Sequence, residues 1–143
     1  MILPDVNLLL YAYDSSSRFH RASSEWLSTV LQGPELVGLC GPVIFAFVRI
    51  GTSNRAFEHP FTIEEACRHV AEWLEQPAAE FVEFQIADIY QALALLRQAG
   101  TGGNLTTDAQ VAALALRLGA VVHSSDSDYA RFSNLRWHNP LND

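Results

Sequence analysis

Short apolar runs alternate with longer segments of helical period, and this alternation narrows the possible folds more than any other feature of the chain. "LVGLC", "EFVEF" and "AVVHSS" are strand-sized, and "MIL" leading to Asp5 is a first, very short strand. Between them, apolar residues recur every three to four positions. A parallel connection needs a crossover long enough to hold a helix, so this order points to an α/β fold with a parallel sheet. The 143 residues are one domain's worth of chain, without internal repeat, low-complexity tract or linker.

Capping residues place the helices. "NLLLYAYD" reads as a helix start, with Asn7 free to bond nearby backbone N–H groups. "HRASSEWLSTVLQG" closes at Gly33, and "PVIFAFVRIGTSN" has Pro42 in its opening turn. In "TIEEACRHVAEWLEQ", Thr62 and Glu65 form a capping box and Pro77 stops the helix. "DIYQALALLRQAG" ends at Gly100, and "LTTDAQVAALALRLG" ends at Gly119. "DSDYARF" gives a helical turn or two, and "LRWHN" a short final strand.

Acids occupy positions in this frame where burial makes them costly. In "ILPDVNLLLYA", Asp5 stands between two apolar runs at the end of the first strand. In "TTDAQVAALALRL", Gln110 and Arg117 mark the wet stripe of the helix, which turns Asp108 towards the packed side over Ala112 and Ala115. The strand "VVH" runs through Ser124 and Ser125 into Asp126 and Asp128. Each acid also has a plain structural reading: Asp5 and Asp126 as caps, Asp108 held by a helix dipole, Asp128 as a solvated loop charge. Their common placement beyond strand ends is what singles them out, because open parallel sheets bind ligands there. Carboxylates gathered within a few ångströms repel, and either protonation or a hard divalent cation relieves them. An all-oxygen set suits Mg²⁺ or Mn²⁺ rather than zinc.

Composition removes several alternatives. The net charge of −7 disfavours a protein that coats duplex nucleic acid. The 9 basic residues are all arginine, and a P-loop, a response-regulator receiver or a haloacid-dehalogenase-type phosphatase each needs a lysine. The Gly-x-Ser-x-Gly elbow of a Ser-His-Asp hydrolase is missing. The five histidines show no ligand spacing, and Cys40 and Cys67 read as reduced thiols of a cytoplasmic protein. No apolar run reaches the roughly 18 residues of a membrane span, and the N-terminus does not read as a signal peptide. Only 17% of residues are charged, which suggests apolar surface covered by a partner or a second copy.

"PDVNLLLYA", "GNLTTDAQVAALALRLGA" and "SSDSDYARF", in this order and spacing, resemble the PIN-domain family, in particular the VapC toxins of VapBC toxin–antitoxin pairs. "FVRIGTSNR" resembles a segment of an actinobacterial branch of that family. The resemblance covers essentially the whole chain, 1–143, as a single PIN domain. It implies a three-layer α/β/α sandwich around a central parallel sheet of four to five strands. It further implies a Mg²⁺-dependent endoribonuclease, with Mn²⁺ as a substitute, that forms a homodimer and is held inactive by a VapB-type antitoxin. Carried over by position, Asp5, Asp108 and Asp126 match family acids and metal ligands, Asp128 an extra catalytic acid, and Asn7 the polar residue supporting the first acid. The remaining family acid is a Glu in the helix after strand two; here Phe47 fills that place, and no acid occurs between Glu35 and Glu58. Arg49 is the one charge in that helix, placed to meet a substrate phosphate or a site carboxylate.

Two other readings stay open on the residues alone. One is a catalytically weak PIN domain that binds RNA or a partner without cutting. The other is a metal-dependent phosphatase or DNA nuclease. Arg18, Arg21, Arg55, Arg131 and the loop "GTGGN" are candidates for guiding an RNA strand, and "YAYD" with "EWLSTVLQ" for an antitoxin groove.

Overall fold

Strands of two to four residues cannot stand alone, and here five of them share one sheet. The computed structural model describes all 143 residues. The elements are β1 (Ile2–Pro4), α1 (Val6–Tyr11), α2 (His20–Gln32), β2 (Val37–Cys40), α3 (Gly41–Gly51), α4 (Ile63–Leu74), β3 (Ala79–Val82), α5 (Ile86–Ala99), α6 (Leu105–Leu118), β4 (Val121–His123) and β5 (Trp137–His138). Two 3₁₀ turns, Ser127–Arg131 and Pro140–Asn142, flank β5. The helices and sheet form a three-layer α/β/α sandwich. None of the helices is long and apolar enough to cross a membrane.

Every strand pair is parallel, in the order β3-β2-β1-β4-β5. The chain therefore starts in the middle of the sheet, works out to β3, then crosses back to lay β4 on the other side of β1. That reversal opens a crevice beyond the C-terminal ends of β1 and β4. The register pairs Pro4 with His123, so the residues that follow, Asp5 and Ser124, emerge side by side. The Asp5 N–H donates to the His123 carbonyl at 2.9 Å and fixes that alignment.

The core fills the space between sheet and helices. Leu8, Leu9, Val37, Phe47, Ala109, Ala112, Leu114 and Val122 are completely buried. The small residues of α6 let it lie close against its neighbours, with Asp108 on the same buried side. A second knot is aromatic: the Phe47 and Trp73 rings meet edge to face at 4.6 Å, and Tyr13 stacks on His69 at 3.9 Å. The Trp73 indole N–H donates to the Tyr13 hydroxyl at 2.6 Å.

Local chemistry sets the helix ends. Thr62 and Glu65 form the expected capping box. Gly100 and Gly119 end α5 and α6 at φ 74° and 63°, the left-handed region that glycine enters without a Cβ clash. Several boundaries differ from the sequence reading, α1 ending at Tyr11 and β3 spanning Ala79–Val82 among them, and two have a visible cause. Helix α3 stops at Gly51 rather than running through "TSN": the Ser53 N–H tightens to the Ile50 carbonyl, and the Gly51 carbonyl accepts the Phe61 N–H at 2.8 Å instead of a helical partner. Helix α5 starts earlier, at Ile86, because Asp88 is not an opening cap: from the first turn it accepts the Gln85 N–H at 2.8 Å.

Asp88 also ties α5 to α6. Its side chain is 2% exposed and accepts the Arg117 Nε–H at 2.8 Å, while the Arg117 guanidinium donates again to the Glu83 carbonyl. Burial alone raises the Asp88 pKa, but the Arg117 and Gln85 donors outweigh it and the net shift is downward. A carboxylate with a lowered folded pKa stabilises above its unfolded pKa, and that contribution is lost as pH falls through the folded value. Arg117→Ala should therefore destabilise by about 1–3 kcal/mol at pH 7, by leaving Asp88 covered and unpaired. Thermal denaturation should show the gap to the parent narrowing below the ordinary carboxylate pKa of 3.8, as Asp88 protonates in both proteins.

Candidate active site

The crevice between β1 and β4 collects acids from three separate parts of the chain. Asp5 leaves β1 as the N-cap of α1, its Oδ1 accepting the Val6 N–H at 2.8 Å. Asp126 and Asp128 follow β4, with Asp126 capping the first 3₁₀ turn and accepting the Asp128 N–H at 2.8 Å. Asp108 comes from the first turn of α6. Asp5, Asn7, Asp108, Asp126 and Asp128 all line one cavity of about 440 Å³, together with Arg49, Gly103, Asn104 and Thr107.

Ser124, which the sequence reading passed over, holds this rim together. It is completely buried, and its single hydroxyl uses its full capacity. The Oγ donates to Asp5 Oδ2 at 2.7 Å and accepts the Asp126 N–H at 2.9 Å and the Asn7 amide at 3.3 Å. Asn7 thus supports Asp5 through Ser124, rather than bonding backbone N–H groups near it. Tyr129 was also passed over. It is 1% exposed, and its hydroxyl lies close enough to Asp5 and Asp108 to lower their pKa values, without a well-formed hydrogen bond to either. The visible signals were the serine two residues before Asp126 and an aromatic directly after the second acid.

The carboxylates divide into two depths. Asp108, Asp126 and Asp128 each offer an oxygen, and these lie within 4.8 Å of one another. Asp5 sits deeper, 2% exposed, with both oxygens already accepting a hydrogen bond. Electrostatics records the crowding. Burial first, then the charges of Asp5 and Asp126, push the Asp108 pKa up to about 7. Asp5 is raised as well, by burial more than by Asp126, against the opposing pull of Ser124 and Val6. The donor set is all oxygen, its members repel, and three lie within 4.8 Å of one another. These residues fit a hard divalent cation.

Helix α3 supplies the opposite wall and no acid. Phe47 turns into the aromatic knot with 0% exposure, while Ala46, Arg49 and Ile50 face the cavity. Arg49 is exposed and forms no salt bridge. Of the other arginines considered for strand guidance, Arg21 pairs with Glu25, Arg18 lies over the Phe19 ring, and Arg131 donates to the Ala99 carbonyl. His123 lies outside the site chemistry. It accepts the Trp26 indole N–H at 3.0 Å, and burial lowers its pKa to about 4, so it stays neutral.

The raised Asp108 pKa is a stability liability with a definite sign. Between 3.8 and about 7 the folded state binds the proton more tightly, so the cation-free protein loses stability as pH rises through that window. Asp108→Asn should remove up to about 4 kcal/mol of penalty at pH 8 and almost none at pH 4. The check is thermal denaturation in chelator at both pH values. Adding Mn²⁺ should raise the melting temperature of the parent and leave that of Asp108→Asn nearly unchanged.

Comparison with known proteins places this geometry in a family. A PIN domain model matches residues 2–135. The chain is 41% identical to Ribonuclease VapC33 of Mycobacterium tuberculosis over 141 residues, covering 99% of each chain. It is 39% identical to Ribonuclease VapC37 of the same organism over 140 residues, covering 98% of this chain and 97% of the relative. Among solved structures, Mycobacterium tuberculosis VapC20, described as a sarcin-ricin loop cleaving toxin, superposes with TM-score 0.72 at 16% identity, covering 95% of this chain and 99% of the other. VapBC2 from Rickettsia felis, bound to a DNA fragment from its promoter, gives 0.69 at 18% identity, covering 97% and 98%. The five-stranded parallel sheet, the acidic crevice at its reversal point and these full-length matches agree: the chain belongs to the PIN-domain family, in its VapC branch.

Proposed function

We propose that the chain is a Mg²⁺-dependent endoribonuclease, the cytoplasmic toxin of a VapBC-type pair, acting as one PIN unit over 1–143. The observation that carries the reading is the gathering of Asp5, Asp108, Asp126 and Asp128 at the β1–β4 crevice, facing one unpaired arginine. Asp108, Asp126 and Asp128 would hold the cation, and Asp5 would add a fourth carboxylate from the floor. A bound Mg²⁺ neutralises charge developing on the phosphate oxygens and makes water more acidic. Asp128, the most exposed of the four, orients the attacking water and accepts its proton. Asn7 and Ser124 keep Asp5 and Asp126 at fixed spacing, so the carboxylates reorganise little as charge moves. Arg49 donates to a phosphate oxygen from the α3 wall. The hydroxyl-bearing strand is RNA because the relatives bear the name ribonuclease; tRNA or rRNA loops, where bases are splayed, are the favoured targets.

The partner surfaces follow from what the fold leaves uncovered. A cavity of about 250 Å³ between α2 and α4, lined by Tyr13, Leu27, Leu31 and Trp73, joins the two segments marked for an antitoxin helix. The structural neighbours include VapBC complexes, which supports a VapB-type partner, and our reading seats it in this groove. On α5, Ile86, Ile89, Tyr90 and Leu93 are 72%, 52%, 70% and 50% exposed and share one helical face. A second copy covers that stripe in our reading, which makes the protein a homodimer.

The direct test is cleavage of total cellular RNA in Mg²⁺. The parent should cut it, chelator should stop it, and Asp108→Asn and Asp126→Asn should each lower the rate by at least about a hundredfold, the scale of losing an electrostatic stabiliser. Equal rates for both variants and the parent would falsify the assignment. Leu93→Glu should turn a dimer into a monomer in sedimentation equilibrium and leave the far-UV spectrum intact.

A further inference from the structure

The groove does not end at the carboxylates. Ala46, Arg49 and Thr107 line the acidic cavity and also line a second one of about 530 Å³ between α3 and α6. Pro42, Phe45, Val48 and Gln110 complete the second cavity, and no carboxylate faces it. The Phe45 ring is 71% exposed beside it. Two adjoining compartments thus share a wall whose one charge is Arg49: one compartment is anionic and fit for a cation, the other offers a flat aromatic face, an amide and a hydroxyl.

A single RNA strand has a matching alternation, an anionic link followed by a flat base. The chain's net charge of −7 works against a polyanion, so affinity cannot come chiefly from neutralised phosphates. Base stacking on an aromatic ring supplies about 1–3 kcal/mol per base regardless of net charge. Arg49 is the only basic side chain lining either cavity, which fixes the route of the strand between them.

We propose that the second cavity is a nucleobase subsite: an unpaired base next to the scissile phosphate stacks on Phe45 with its edge towards Gln110 and Thr107, while Arg49 binds the phosphate between the compartments. This rests on the ribonuclease reading above.

The test is binding of fluorescein-labelled single-stranded A8 RNA, read by anisotropy, with Ca²⁺ replacing Mg²⁺ to limit cleavage. Phe45→Ala should weaken binding by about 5- to 100-fold, the range of one lost stacked base. Phe45→Trp should restore it, and Phe45→Leu should not. Calorimetric Mn²⁺ affinity and sedimentation mass should stay those of the parent. If the parent binds A8 and Phe45→Ala binds it as tightly, or Phe45→Leu binds as well as Phe45→Trp, the subsite is wrong and the ribonuclease reading stands. A loss of binding that comes with a change in mass makes Phe45 a subunit contact and overturns the subsite too. If the parent neither binds nor cuts RNA, the ribonuclease reading falls and takes the subsite with it.

Discussion

Mutual repulsion among carboxylates in the β1–β4 crevice is the constraint around which the rest of the structure is arranged. Four acids line a single cavity, and two of them, Asp5 and Asp108, have pKa values raised by burial and by neighbouring carboxylates. The fold holds them there through parts that are individually ordinary: the β1–β4 register, the Ser124 hydroxyl, and the Asp88–Arg117 tie that docks α5 on the helix carrying Asp108. Stability is given up locally and recovered in a core made mostly of Leu, Val and Ala.

Most of the architecture was written in the chain because it follows from patterns of period and punctuation. Parallel strands, the capping box at Thr62 and the glycine stops at Gly100 and Gly119 need only local chemistry. The facing of Asp108 was legible too, since an alanine-rich helix with so narrow a polar stripe has only one wet side. Ser124 was not legible as the centre of the site, because its three partners include two that are 117 and 119 residues away. The start of α5 was missed for a related reason. The sequence reading began that helix at Asp88, whose pairing with Arg117 across 29 residues has no local signature.

Phe47 shows the same limit from the other side. Matching by position could say that a family carboxylate is absent, but not what the phenyl ring does. It anchors the aromatic knot of Tyr13, Phe61, His69 and Trp73, so that turn of α3 serves the core. Arg49, two residues on and on the other side of the helix, faces the cavity. The wall that this helix gives the cavity therefore carries a cation and no acid.

That one-sided distribution of acids bears on how ligands bind. Every carboxylate reaches the crevice from the β1, β4 and α6 side, so a cation seated there is grasped over only part of its coordination shell. Hard cations fill the remainder with water or with oxygens of an incoming phosphodiester. On the function proposed above, cation and nucleic acid would bind as mutual effectors, each increasing the apparent affinity for the other by the same factor.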